Sequence, residues 1–185
     1  LHLLSRRQRQ MCIRDRITTL GNAGWFWIVL AVLMLTVLPK KYKKAGLTMA
    51  IALILSLIFC NGIMKHLWAR PRAFWVVGQN FVVGNEFENL YGIFNSIHDY
   101  SFPSGHSSAS FAAAVSIFMW RKKEGSAALV LAALIAFSRL YFTVHYPTDV
   151  LVGTITGALY GVAAYFIVKA LMNKVPKLNA IFNKQ

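Results

Sequence analysis

The chain has 185 residues, of which 57% are hydrophobic and only 14% are charged, and its formal net charge is +14. In a soluble domain about a quarter of the residues are charged, so this composition indicates a single membrane domain. The basic residues stand in short clusters between long apolar runs, as in loops between membrane spans, which argues against a nucleic-acid binder. Two cysteines are too few for a disulfide framework or a zinc site with four cysteine ligands.

Five apolar runs follow one another along the chain, and each predicts a membrane helix because about 20 apolar residues span a bilayer. The runs cover 17–38, 45–64, 102–120, 125–144 and 150–168. The sequence therefore predicts an all-α fold, a polytopic membrane helical bundle with five visible spans. Glycines in the last run favour close helix contact: Gly153, Gly157 and Gly161. Four tryptophans suit the membrane interface as anchors: Trp25, Trp27, Trp68 and Trp120.

Clusters of basic residues set the predicted orientation, because loops rich in lysine and arginine face the cytoplasm. In a five-span bundle, three basic clusters fall on one side, which is therefore the cytoplasmic side. They are the lysines after the first run, the cluster at Arg121 and the lysines after the fifth run. Segments 65–104 and 139–149 then share the outer face. Arginines before residue 17 would also lie outside, which leaves two explanations: a missing preceding span or a foreign leader. We favour an artefactual leader at residues 1–16 on a truncated chain, with the domain at 17–185.

Three polar clusters lie on the predicted outer face, and together they contain the groups that phosphoryl transfer requires. The clusters run from Lys65 to Arg72, from Pro103 to His106 and from Ser138 to Asp149. The transferred group is anionic, and its charge spreads over three oxygens in the transition state. Lys65, Arg72 and Arg139 could bind those oxygens. Ser104 and Gly105 begin a predicted helix, where backbone N–H groups bind anions and a glycine permits close approach.

Two histidines could supply the nucleophile and the proton donor. Asp149 follows His145 by four residues, so its carboxylate could accept the Nδ1 proton and leave Nε2 to attack phosphorus. His106 could protonate the leaving oxygen as general acid and then activate water against the phosphohistidine. No paired carboxylates suggest a magnesium or zinc site, so we predict metal-independent chemistry without a cofactor.

The three clusters resemble the signature of the type 2 phosphatidic acid phosphatase (PAP2) superfamily, which includes membrane lipid phosphatases and vanadium haloperoxidases. That signature has a lysine, six residues and Arg-Pro, then Pro-Ser-Gly-His, then Ser-Arg, five residues, a histidine, three residues and an aspartate. The second and third motifs match throughout. Lys65 and Arg72 keep the first spacing, but Ala73 replaces the proline, and Arg70-Pro71 stands two residues earlier. The resemblance covers roughly residues 17–170, leaves Arg70 and Arg72 as alternatives for the main phosphate ligand, and implies six membrane helices.

The resemblance also implies a lipid substrate. An outward-facing site in what resembles a bacterial protein makes undecaprenyl pyrophosphate the first candidate, with phosphatidic acid and phosphatidylglycerol phosphate as alternatives. Two other classes compete: a vanadate-dependent haloperoxidase, which the membrane spans disfavour, and a non-catalytic lipid-binding or transport protein, which would not need a nucleophile. We expect membrane lipids as partners, no nucleic acid and no evident protein partner, and a location in the bacterial cytoplasmic membrane.

Overall fold

The computed structural model describes residues 23–71, 100–141 and 144–175, and all regular structure within them is helical. The α-helices are α1 (Ala23–Thr36), α2 (Lys43–Leu55), α3 (Lys65–Trp68), α4 (Gly105–Trp120), α5 (Lys122–Tyr141) and α6 (Pro147–Lys174). A 3-10 helix, Lys40–Tyr42, precedes α2, and a π-helix, Ser56–Met64, joins α2 to α3. The predicted all-α class is confirmed. The predicted leader, residues 1–16, lies outside the described residues.

Three helical stretches are long and apolar enough to cross a bilayer. They are Lys40–Trp68, α5 and α6. Helix α1 is apolar but shorter, and α4 has 16 residues, so two of the five predicted spans are shorter helices within the described ranges. Many large apolar side chains point outward, as on Val130, Leu134 and Phe137 of α5. Such a surface suits contact with lipid, and the fold is an integral membrane helical bundle.

Helix α4 is the centre of the bundle and makes its most extensive contacts with α5 and α6. Three glycines of α6 face the backbone of α4: Gly153, Gly157 and Gly161. A Cβ atom on Gly153 would lie 2.6 Å from the carbonyl oxygen of Ser104, closer than van der Waals contact allows. The predicted close packing through these glycines is therefore confirmed.

Hydrogen bonds between side chains join the outer helices to α4. Trp27 donates its indole N–H to Ser110 Oγ at 3.0 Å, and Trp120 donates to Thr48 Oγ1 at 2.8 Å. Trp27 is only 1% exposed, so the prediction that it anchors the chain at the membrane interface is wrong. A buried indole needs an acceptor, and the serines and threonines of neighbouring helices provide one.

The segments that precede α4 and α6 meet at one end of the bundle. Ala69 ends α3 in the left-handed conformation, with φ of 38°, and so turns the chain away from the helix axis. Arg70, the next residue, accepts a hydrogen bond at its carbonyl from Ser101 N–H at 2.8 Å. Ser104 N–H donates to the carbonyl of Asp149 at 3.0 Å. These backbone bonds bring the three polar clusters of the sequence together.

Candidate active site

Ser104 begins helix α4 as its N-cap residue. Its backbone is extended, its side chain is fully buried, and Oγ accepts from the Ser107 hydroxyl at 3.0 Å and from the Ser107 N–H at 3.5 Å. The cap places Gly105 and His106 in the first turn of α4, where backbone N–H groups have no acceptor within the helix and attract anions. The predicted helix start is therefore present at the Pro-Ser-Gly-His motif.

Asn61 is a site residue that the sequence analysis missed. It lies in the π-helix, a form often found at functional positions. Its Oδ1 is the only buried side-chain oxygen or nitrogen without a hydrogen-bond partner in the part of the chain that the structure describes. A Cβ atom on Gly105 would lie 2.5 Å from this oxygen. Glycine at position 105 thus makes room for Asn61. The sequence did contain a signal for Asn61, because a polar side chain inside an apolar membrane segment suggests a functional position.

His145 is buried, with 4% of its surface exposed, and its ring orientation is set by Ser101. Nδ1 lies 2.8 Å from the Ser101 carbonyl oxygen, 3.4 Å from Ser101 Oγ and 3.7 Å from Asp149 Oδ2. A carbonyl oxygen can only accept, so Nδ1 carries the proton, and in the neutral ring Nε2 keeps its lone pair. The tautomer agrees with the sequence-based hypothesis. The closest acceptor, however, is the Ser101 carbonyl rather than the carboxylate of Asp149.

The carboxylate of Asp149 is fully buried and has hydrogen-bond donors on both oxygens. Oδ2 accepts from Ser101 Oγ at 2.5 Å and from Tyr146 N–H at 3.0 Å. Oδ1 accepts from Arg70 Nη1 at 2.9 Å. Asp149 sits in the first turn of α6, where a negative charge is favoured by the helix dipole. These bonds hold Asp149 beside the ring of His145, and they explain why its oxygens are not directed at Nδ1 alone.

Three residues at the start of α6 hold the side chain of Arg70. Its Nη1 also donates to Thr148 Oγ1 at 2.8 Å, and its guanidinium carbon lies 4.0 Å from the centre of the Tyr146 ring. The side chain is 38% exposed. Ser101, a further hydrogen-bond partner of Asp149, was also missed by the sequence analysis. The only signal for it was its position two residues before Pro103.

Two of the predicted phosphate-binding cations are buried, and the third lies outside the described residues. Lys65 and Arg139 are each 7% exposed, and buried charges in a membrane protein are costly unless they face partners or a polar site. Arg139 Nε donates to Ser138 Oγ at 3.2 Å, and its carbonyl accepts from Val144 N–H, next to His145. Arg72 is not among the described residues. Within those residues, no three His, Cys, Asp or Glu side chains group as metal ligands.

The fold and this site define a membrane helical bundle with a buried His–Asp pair beside the N-terminus of a central helix. The family model of the PAP2 superfamily matches residues 41–173, and the chain belongs to that superfamily. No solved structure gives a significant match to this chain.

Three relatives come from bacteria and an archaeon. The Escherichia coli (strain K12) protein YbjG, whose name gives undecaprenyl-diphosphatase as an inferred activity, is 33% identical over 135 residues, or 72% of this chain and 62% of YbjG. The undecaprenyl-diphosphatase of Sulfolobus acidocaldarius is 29% identical over 72% of this chain and 59% of its own. The lipid A 4'-phosphatase of Bacteroides thetaiotaomicron is 30% identical over 78% and 65%. The chain thus spans about three fifths of the length of these curated relatives.

Proposed function

We propose that the protein is a membrane lipid-phosphate phosphatase that acts through a phosphohistidine on His145, with undecaprenyl pyrophosphate as the leading substrate. The observation that carries the proposal is the buried His145 ring, whose Nδ1 faces the Ser101 carbonyl at 2.8 Å while Asp149 Oδ2 lies 3.7 Å away. This arrangement directs the lone pair of Nε2 away from the protein partners of Nδ1, as a nucleophile requires.

In the first step, His145 Nε2 forms a bond to phosphorus as the bond from phosphorus to the leaving oxygen breaks. His106 gives its proton to that oxygen as general acid. Lys65, Arg139 and Arg72 stabilise the charge on the phosphoryl oxygens, together with the backbone N–H groups at the start of α4. The phosphorylated ring is cationic, and the buried carboxylate of Asp149 stabilises it. This division of roles needs no metal ion.

In the second step, His106 accepts a proton from water, and the water oxygen attacks phosphorus. The bond from phosphorus to Nε2 breaks, inorganic phosphate leaves, and His145 regains its neutral ring. His106 therefore acts first as acid and then as base, so each turnover returns both histidines to their starting protonation states.

The names of the relatives and the predicted orientation of the chain bear on the proposed substrate. Relatives are named for undecaprenyl diphosphate and for the 4'-phosphate of lipid A, which supports a phosphate carried by a large membrane lipid. The positive-inside rule supports a site on the outer face of the cytoplasmic membrane. Phosphatidic acid and phosphatidylglycerol phosphate are the remaining candidates from the sequence.

The test is phosphate release from these lipids in detergent, with the wild type beside His145→Ala. We expect loss of activity in this variant and a phosphorylated protein species, stable to base and labile to acid, after rapid quenching of the wild type. His66→Ala is the matched control, because His66 is exposed on α3 and its Nδ1 lies 2.9 Å from the Gly62 carbonyl, away from the His145–Asp149 pair. Release should persist in EDTA. Full activity in His145→Ala would contradict the nucleophile, and loss in EDTA would contradict the metal-free chemistry.

A further inference from the structure

We propose that Arg70 and Ser101 are positioning residues that hold the His145–Asp149 pair in its reactive geometry, and that Arg70 is not a ligand of the phosphate. The inference rests on the proposed phosphatase function and deepens it. The first polar cluster contains two arginines, Arg70 and Arg72, and the sequence leaves both as phosphate ligands. The contacts of Arg70 assign it a different task.

Arg70 and Ser101 hold opposite oxygens of the same carboxylate. Arg70 Nη1 is 2.9 Å from Asp149 Oδ1, and Ser101 Oγ is 2.5 Å from Asp149 Oδ2. With both oxygens engaged, the carboxylate has a single orientation beside the His145 ring. The carbonyl of Ser101 then fixes the ring itself through Nδ1. Ser101 therefore contacts the nucleophile and its carboxylate at once.

The two positioning residues are also joined to each other. Ser101 N–H donates to the Arg70 carbonyl at 2.8 Å, which ties the chain after α3 to the chain before α4. The Arg70 guanidinium is held further by the Tyr146 ring and the Thr148 hydroxyl, on the first residues of α6. One nitrogen of the guanidinium, Nη1, donates to both the carboxylate and the hydroxyl, and the guanidinium face lies on an aromatic ring, so the protein holds the Arg70 side chain in place. The positive charge of Arg70 compensates the buried carboxylate of Asp149. A phosphate bound at Arg70 would have to compete with that carboxylate.

The experiment separates positioning from phosphate binding by comparing turnover with anion affinity. We would measure kcat and KM for undecaprenyl pyrophosphate, and inhibition by inorganic phosphate, in Arg70→Gln, Arg70→Lys and Ser101→Ala. Arg139→Gln is the comparison for a direct ligand. Arg121→Gln is the matched control, because Arg121 also pairs with a carboxylate, Glu124, at 2.6 Å, but at the opposite end of α4.

We expect kcat to fall on the order of 10–100-fold in Arg70→Gln and Ser101→Ala, the loss typical of a slightly misplaced reacting group. KM and the inhibition constant for inorganic phosphate should change less than about threefold, against on the order of tenfold or more in Arg139→Gln. Arg70→Lys should keep the fold but not the turnover, because lysine lacks the planar guanidinium that lies on the Tyr146 ring. If Arg70→Gln does not fold, Arg70→Lys and Ser101→Ala decide the question. Affinity for inorganic phosphate lost as in Arg139→Gln, or unchanged kcat, would overturn the proposal.

A readout that does not depend on catalysis keeps this inference distinct from the proposed function. In protein labelled with 15N at histidine, the His145 ring signals can be assigned by their loss in His145→Ala. We expect Arg70→Gln and Ser101→Ala to shift these signals, and Arg121→Gln to leave them in place. Inactive wild type with this pattern would contradict the phosphatase proposal alone. Unshifted His145 signals in both variants would overturn the positioning role, whatever the activity.

Discussion

Replacing Gly105 by alanine tests why a glycine begins helix α4. The new Cβ would lie 2.5 Å from Asn61 Oδ1, and the three nearest heavy atoms all belong to Asn61. A carbon–oxygen contact settles at about 3.3 Å or more, so the amide must move by nearly an ångström. Overpacking of this kind costs about 1–3 kcal/mol. The lower part of that range is expected, because a side-chain amide can rotate more easily than a backbone can shift.

The Asn61→Ala background removes the clashing oxygen and gives the matched comparison. We expect Gly105→Ala to lower the free energy of unfolding by about 1–2 kcal/mol in the wild type and by little in Asn61→Ala, a coupling typical of residues in contact. Thermal unfolding in detergent measures both. Equal destabilisation in the two backgrounds would refute the steric argument. Phosphate release adds a second answer: if the double variant is as stable as Asn61→Ala alone but less active, Gly105 also serves close approach of the phosphate.

Three further predictions follow from the packing and from the two-histidine mechanism. Gly157→Ala should destabilise the bundle by about 2 kcal/mol or more, because its Cβ would clash with the backbone at Ser108. Gly24→Ala should not, because among the described residues no atom lies within 4 Å of its Cβ position; thermal unfolding compares the two variants. Vanadate should inhibit hydrolysis by mimicking pentacoordinate phosphorus, and a titration that leaves hydrolysis untouched would contradict the anion pocket. The pH profile of kcat/KM should be bell-shaped, since it needs neutral His145 together with protonated His106; a flat profile would contradict this mechanism.

Motif spacing and apolar runs were sufficient to predict the helical class and the meeting of the three clusters. The His145–Asp149 spacing places both groups at the start of α6, and the Pro-Ser-Gly-His motif starts α4. Ser101 could not be predicted, because its role depends on a carbonyl and a hydroxyl that a turn brings to residues more than 40 positions away. Long-range contacts of this kind have no local pattern in the sequence.

Burial was harder to predict than helix position. Trp27 is an aromatic residue inside an apolar run, and a tryptophan suits the membrane interface as well as the core. The indole N–H of Trp27 can be buried because Ser110, on the facing side of α4, accepts its hydrogen bond. The π-helix around Asn61 likewise could not be predicted from the pattern of apolar residues. A widened turn changes which side chains share a face, and periodicity based on 3.6 residues per turn cannot register it.

Asp149→Asn separates the structural task of the carboxylate from its charge. Asparagine keeps one oxygen acceptor and replaces the other with an NH2 donor. If that oxygen stays with Ser101 and Tyr146, the NH2 faces the Arg70 guanidinium, and donor meets donor in a fully buried position. Leaving a buried donor unsatisfied costs about 1–3 kcal/mol, and loss of the charge that stabilises the phosphorylated ring should lower kcat.

The double variant Arg70→Gln/Asp149→Asn resolves these two effects. The glutamine carbonyl can accept from the new NH2 group, so the double variant should be more stable than the sum of the single changes predicts, as measured by thermal unfolding. Phosphate release should stay low, because neither amide restores a negative charge beside His145. Strict additivity of the two stability changes would refute the donor conflict. Recovered hydrolysis would mean that the amide pair replaces the carboxylate and that hydrogen bonding alone, rather than charge, supports the nucleophile.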